Sequence, residues 1–350
     1  MTLGWAMVGT GWHVRDRMAP AARRAAGTRL VAVCSRDLSR AQEYATTFGF
    51  ERAYDDYSAL LADDKVDVVY LATPNHLHER QTVQAAQAGK HVLVEKPMAL
   101  SSAGAEAMLE ACRAAHVKLG VGFHLRHHPA HVEIRRRLQE GLLGRPLMLH
   151  LAWVRASPRR DGWWQDPSQV GAYVTMARGV HLLDLVTFLT GQPAVEVTAV
   201  TDGQRDDRPL EETAVAILRL PGDVFGVLVA SRLLPRVDSS LTVFGSEGRA
   251  HALGTLSTDP AGSIELSTST EVHKVSYSDA DPYQLQIEAF NRSVTEDTEP
   301  SASGVDGLAV VRITEALLES ARGGRAVAVG PARTAETAEP APDRPSRSAR

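Results

Sequence analysis

Short apolar runs alternate with helical stretches through the first third of the chain. Leu3 to Val8 is followed by an Ala/Arg-rich helical stretch ending near Gly27, and Arg29 to Cys34 by helical stretches from Leu38 to Phe48 and Tyr57 to Ala62. Val66 to Ala72 leads to a helix carrying Gln81 to Ala88, Val92 to Val94 to a helix from Ser101 to Ala115, and Val117 to Gly122 closes the series. Uninterrupted apolar runs separated by amphipathic helices read as buried parallel strands with crossover helices. The pattern predicts an α/β fold that opens with a Rossmann-type, doubly wound parallel sheet of five strands over residues 1–122.

From about Pro146 the pattern changes. Leu147 to Arg155 alternates apolar and polar residues, and β-like runs follow at Val195 to Val200, Thr213 to Leu220, Val224 to Ala230 and Leu241 to Phe244. Turn signals such as Pro221-Gly222 separate them, so residues 123–330 read as a second α/β domain built on a large, mostly antiparallel sheet. Leu182, Leu183, Leu185, Val186 and Leu189 carry helical periodicity between the first two of these strands, and helix returns near Tyr283 and from Val305 to Ser320. A C-terminal helix is expected to pack back on the first domain. Residues 331–350 are rich in Ala, Pro, Ser and Arg without apolar period, and a disordered tail is expected there.

Composition narrows the function classes. The chain has 350 residues, 44% hydrophobic and 23% charged, with a formal net charge of -4 and a pI near 6.4. These are values of an ordinary globular enzyme and advertise no nucleic-acid partner. Cys34 and Cys112 stand far apart without metal or disulfide spacing. The first strand starts at Leu3, leaving no room for a leader, and no apolar run reaches the length of a membrane span, so a cytoplasmic protein is expected.

The candidate chemistry gathers at strand ends. His91-Val92-Leu93-Val94-Glu95-Lys96-Pro97 stops a buried strand on an acid, a base and a proline that keeps Lys96 extended. The carboxyl edge of an open α/β sheet is where ligands bind, so Lys96 is placed to reach a substrate. Gly9-Thr10-Gly11-Trp12 follows the first strand as a glycine turn into a helix, suited to a pyrophosphate, although Val14 stands where Gly or Ala normally packs and predicts a slightly displaced helix. The second strand ends in Ser35-Arg36 rather than an acid. Ser35 can donate to a ribose, and Arg36 with Arg40 can neutralise a 2′-phosphate, which favours NADP(H) over NAD(H). Asp37 reaching the ribose stays open as the counter-reading. Thr73, Pro74, Asn75 and His78 leave the third strand near the nicotinamide half of such a site, with helix capping by Asn75 as the competing reading. Phe123-His124-Leu125-Arg126-His127-His128 lacks an acid or cysteine at ligand spacing, so a polar substrate wall is expected there and no metal. Trp153, Trp163 and Trp164 are wall candidates or core. His181 and Asp184 lie one turn apart on a helix, with Tyr173 and Arg178 just upstream.

Taken together, Gly9-x-Gly11, Ala88-Gly89-Lys90-His91-Val92 running into Glu95-Lys96-Pro97, Gly179-x-His181-x-x-Asp184, Phe244-Gly245-Ser246-Glu247-Gly248 and Gln286-Ile287-Glu288-Ala289-Phe290 resemble the glucose-fructose oxidoreductase / inositol dehydrogenase (Gfo/Idh/MocA) family. The resemblance covers almost the whole chain up to the tail. It implies a nicotinamide cofactor, an open C-terminal sheet used for homo-oligomerisation as a dimer or tetramer, a small-molecule substrate facing Lys96 and His181, and a Lys96-Pro97 peptide in the cis form. Glu95, Tyr173 and Asp184 are candidates to support those two residues, Asp184 by orienting His181 or else by capping a helix, and Tyr173 by replacing a missing contact or else by packing. Family members that oxidise cyclitols carry an Asp four residues before the histidine, where this chain has Ala177. The implied activity is hydride transfer to or from a carbonyl or alcohol carbon of a sugar, nucleotide-linked sugar or polyol. Imine or keto reduction, an NAD-dependent glycosidase, and a non-catalytic cofactor-binding protein stay open as alternatives.

Overall fold

The computed structural model describes residues 1–202, 210–235 and 238–330; the expected disordered tail lies outside them. A parallel sheet forms from β1 (Leu3–Val8), β2 (Thr28–Cys34), β3 (Arg52–Tyr54), β4 (Val68–Leu71), β5 (His91–Val94) and β6 (Leu119–Val121), in the order β3-β2-β1-β4-β5-β6. The order reverses beside β1, which opens a crevice at the carboxyl ends of β1 and β4, where Gly9 and Thr73 emerge. The sheet has six strands, not the expected five. The extra one, β3, is a three-residue edge strand of Arg, Ala and Tyr, too short and too exposed to leave an apolar run in the sequence.

The second sheet has nine strands: β7 (Pro146–Val154), β8 (Glu196–Thr201), β9 (Thr213–Leu220), β10 (Val224–Ser231), β11 (Ser240–Gly245), β12 (Gly248–Leu253), β13 (Ser263–Thr268), β14 (Val272–Val275) and β15 (Val327–Ala328). Every pairing is antiparallel except β7 with β10. Four of these strands, β12 to β15, were not foreseen. β12 buries Ala250 and Ala252 rather than bulky side chains, β14 is largely exposed, and β15 has two residues. These three have little apolar contrast from which to read a period of two, whereas β13 buries Ile264 and Leu266 between polar residues and does carry that period.

Two C-terminal helices return to the parallel sheet. Pro282–Thr295 sets the Phe290 ring edge-on to Trp5 at 5.9 Å, and Asn291 Oδ1 accepts the Trp5 indole N–H at 2.9 Å. Gly304–Gly323, started by a capping box of Ser303 and Asp306, packs on the helix Ser102–Ala114 and on β8. Its Gly307 permits close approach, since a Cβ there would stand 2.5 Å from Met98 Sδ.

The segment Pro167–Thr190 reaches the length and apolarity of a membrane span, with mean hydropathy 1.2, which corrects the expectation that no run does. Its central window is 83% buried inside the fold, as befits a core helix. Both cysteines are buried free thiols.

Candidate active site

One cavity of about 860 Å³ lies between the carboxyl edge of the parallel sheet and the inner face of the nine-stranded sheet. Lys96 enters it just beyond the end of β5, and its peptide bond to Pro97 is cis. His181 enters from the opposite side, on the helix Val180–Thr190. A π turn, Thr175–Gly179, precedes that helix, and its Val180 N–H bonds back to the Thr175 carbonyl. The wider turn leaves carbonyls for other donors. Lys96 Nζ takes two of them, donating to Ala177 O at 3.1 Å and Met176 O at 3.3 Å. Lys96 is therefore anchored to backbone carbonyls of the turn that leads into the His181 helix.

Burial pushes the Lys96 ammonium down to about 8, against the pull of Glu95 and with some repulsion from Arg160. Burial likewise pushes the His181 imidazole well below its ordinary value, and Lys96, His124 and His13 add repulsion. His181 is thus neutral at physiological pH, and its Nδ1 is buried without a hydrogen-bond partner among the described residues. Aromatic rings surround it: His124 at 4.8 Å, Trp153 at 5.4 Å and Phe123 at 6.2 Å between ring centroids. His124 stacks on Tyr283 at 4.5 Å, and burial holds it at about 3.

Behind Lys96, Glu95 Oε1 accepts from the Tyr70 hydroxyl at 2.7 Å and lies 3.2 Å from His13 Nε2. Burial alone would raise this carboxyl, but His13, Lys96 and Tyr70 hold it at about 2. His78 sits between the carbonyl oxygens of Pro97 (2.8 Å) and Thr73 (3.0 Å), tying the loop after β4 to the Lys96-Pro97 peptide. Thr73 Oγ1 donates to Gln81 Oε1 at 2.5 Å, and Pro74 precedes a short 3-10 turn. Asn75 caps no helix with its side chain. Its Nδ2 donates to Val170 O at 3.0 Å, linking the two halves of the site.

Residues 3–123 match the family model described as "Oxidoreductase family, NAD-binding Rossmann fold", and residues 131–251 match the "GFO/IDH/MocA C-terminal domain". The chain belongs to the Gfo/Idh/MocA oxidoreductases. It is 28% identical to 1,5-anhydro-D-fructose reductase of Ensifer adhaerens over 329 residues, 93% of this chain and 98% of the relative. It is 30% identical to D-xylose 1-dehydrogenase (NADP(+)) 2 of Haloferax volcanii over 299 residues, 85% of this chain and 90% of the relative. Among solved structures, aldose-aldose oxidoreductase from Caulobacter crescentus, complexed with glycerol, superposes with a TM-score of 0.88 at 26% identity, covering 94% of this chain and all of that one.

The glycine turn of this Gfo/Idh/MocA chain fits a nicotinamide dinucleotide. Gly9 holds φ at 106°, and a Cβ there would collide with Ala72 O at 2.6 Å. Gly11 faces open space and lines the cavity beside Trp12. The helix that follows begins in a π turn, Val14–Met18, with Val14 at the third motif position buried at its start. Thr10 Oγ1 donates to Ser35 Oγ at 3.1 Å. Arg36 is exposed at the end of β2. Two side chains of that region are committed elsewhere: Asp37 caps the helix Leu38–Phe48, and Arg40 donates to Thr10 O at 2.7 Å.

Several expected site residues lie away from the cavity. Arg126 is buried, and its guanidinium binds Asp184, Asp306 and Ser301 O, so it forms no substrate wall. Asp184 is wholly taken up by Arg126 and does not orient His181. Tyr173 is buried in a small cluster with Val170, and its hydroxyl accepts from Arg160 N at 2.7 Å. Trp153, Trp163, Trp164 and Arg178 do line the cavity, Trp163 and Trp164 stacked at 4.5 Å. Arg178 donates to Arg155 O at 2.9 Å and Ser157 Oγ at 3.1 Å.

The sequence reading missed His13, Arg160 and Tyr283, all of which line the cavity. His13 was visible as the second residue after Gly11, on the first turn facing the sheet edge. Arg160, in an irregular loop, and Tyr283, more than a hundred residues further on, carried no local signal.

Proposed function

We propose that the protein transfers a hydride between NADP(H) and the carbonyl or alcohol carbon of a sugar, nucleotide-linked sugar or related polyol. The observation that carries this reading is that Lys96, at the end of a strand of the parallel sheet, and His181, on the helix Val180–Thr190, face one cavity, the first cationic below about pH 8 and the second neutral. The nicotinamide, when bound, supplies or accepts the hydride. His181 accepts the hydroxyl proton in the oxidative direction, for which a neutral imidazole is ready. Lys96 donates a hydrogen bond to the same oxygen, stabilising its developing negative charge and holding it at reacting distance. Trp153, Trp163 and Trp164 offer ring faces of the kind that pack on a sugar.

The NADP(H) preference is supported by Arg36, exposed just beyond the end of β2 and free to approach a phosphate, and by the capping of a helix by Asp37, the nearest acid. The large outer face of the nine-stranded sheet supports a homo-oligomer.

The test is a fluorescence titration with NADPH and NADH in parallel, repeated with Arg36→Ala, followed by turnover assays on aldoses, ketoses and polyols. NADPH is expected to bind more tightly, and Arg36→Ala to weaken it about tenfold or more, as loss of a charge-assisted hydrogen bond does. Equal binding of NADH would overturn the cofactor preference. Turnover of cyclic imines with none of the sugars would move the reading to C=N reduction.

A further inference from the structure

The cavity is electrostatically lopsided. Arg160 and Arg178 line the same end of it, in the loop after β7 and on the π turn. Neither forms an ion pair among the described residues, whereas the neighbouring Arg159 and Arg232 share Glu212. Of the two acids that line the cavity, Glu95 is already engaged by Tyr70 and His13, and Asp238 is exposed.

Arg160 is the less satisfied of the pair. Its guanidinium carbon stands 4.6 Å from the ring centroid of Trp12 and 4.6 Å from that of Trp164. The indoles hold the group by its faces and leave its N–H edge unused. Only the main chain of Arg160 is hydrogen-bonded, through its N–H to Tyr173 and its C=O to Gln165, so the guanidinium donors have no acceptor among the described residues. A guanidinium in this state is always charged, half-buried and shaped for bidentate binding of a carboxylate or phosphate. The positive field is real enough to act on its neighbours. Burial, then Arg232, Arg160 and Arg155, push Arg178 down to about 10, and Arg160 is among the causes that lower Lys96. Arg160 also lines the same cavity as Lys96 and His181, so its open donor edge shares that space with the reacting centre and not only with the glycine turn.

We propose that the substrate carries an oxyanion, a carboxylate or a phosphate ester, and that the Arg160 guanidinium receives it while Lys96 and His181 hold the oxygen of the reacting carbon. This rests on the oxidoreductase reading above and adds the charge of its substrate. Ala177 agrees with it: a carboxylate at that position, beside Arg178, would cancel the field that an anionic sugar needs.

The test uses the NADP-bound protein and calorimetric titration with D-glucuronate, D-glucose 6-phosphate and D-glucose. At least one anionic sugar is expected to bind about tenfold or more tightly than glucose, the scale of a charge-assisted pair. Which anion wins separates carboxylate from phosphate recognition. Arg160→Met should bring that ratio close to one, and Arg160→Lys should keep part of it, with circular dichroism and the melting temperature serving as the check that both variants fold. The proposal is overturned if glucose binds as well as both anions, if neither anion binds, or if the anion preference survives Arg160→Met. Weakened NADP binding with that preference intact also overturns it, because Arg160 would then serve the cofactor phosphates. Failure of the underlying function looks different: the anion binds with the stated preference, yet no sugar changes the nicotinamide absorbance.

Discussion

Arg126 holds Asp184 in a buried ion pair, with Nε donating to the two carboxylate oxygens at 2.9 and 3.0 Å and Nη2 standing 2.7 Å from one of them. These contacts keep the carboxylate ionised at neutral pH although burial pushes it up to about 6. The pair ties the helix that carries His181 to the segment leaving β6 and, through Asp306, to the C-terminal helix Gly304–Gly323. The acid one turn from His181 is therefore a structural clamp. Asp184→Asn should lower stability by about 1–3 kcal/mol in urea unfolding, because it leaves the buried guanidinium with only Asp306 and Ser301 O as partners. The pH profile of whatever turnover remains should be unmoved; a shifted profile would mean that Asp184 acts through His181 after all.

Lys96 is expected to set the alkaline limb of activity. Its ammonium is the charged donor, and burial has lowered it to about 8. The rate of carbonyl reduction should fall as pH rises through that value. Lys96→Met should lack the limb and turn over roughly a hundredfold or more slowly, the usual scale for such groups. Rates from pH 6 to 10 on both proteins decide this.

Glu95 should stabilise the fold as well as the site. Its folded value of about 2 lies below the ordinary 4.5, so its contribution is complete above pH 4.5 and is lost as pH falls through about 2. The difference corresponds to about 3 kcal/mol. Glu95→Gln is expected to lose that amount in unfolding experiments at pH 7 and to approach the parent protein near pH 2. A deficit that stays constant with pH would assign the effect to packing.

The outer face of the nine-stranded sheet makes the oligomer testable. Ile217 is directly opposite Val227 across β9 and β10, Phe225 lies on the same face, and Val200 on β8 continues it through its partner Val215. Ile217, Phe225 and Val200 are 51%, 43% and 63% exposed, an unusual apolar surface for an isolated subunit. Light scattering should report a dimer or tetramer, and the double substitution Ile217→Glu, Val227→Glu should yield a monomer that still binds NADPH. A wild-type monomer would remove the sheet from consideration as an interface.

The division between sequence and tertiary structure follows the range of the interactions involved. Chain-local physics determined the parallel sheet, because β1 and β4 are fully buried apolar runs, and β2 and β5 are buried apolar runs after their first residues, broken by glycine turns and capped helices, as at Asp37 and Ser101. It also placed Lys96, held at a strand end by the proline after it, and His181, at the start of an apolar helix. It did not reveal β3, β12, β14 and β15, where exposure, small side chains or brevity removes the apolar contrast, and β13 was missed although Ile264 and Leu266 alternate with polar residues. Nor could it tell which charged side chains meet. Asp184 is one turn from His181 along the helix, yet Arg126, 58 positions away, takes its carboxylate. Arg126 and Arg160 are alike in sequence, and only folding gives the first its carboxylates and leaves the second stacked between two indoles with a free edge. Apolar periodicity is a property of neighbours along the chain, so it survives in the sequence. The pairing of charges depends on contacts closed across the whole fold.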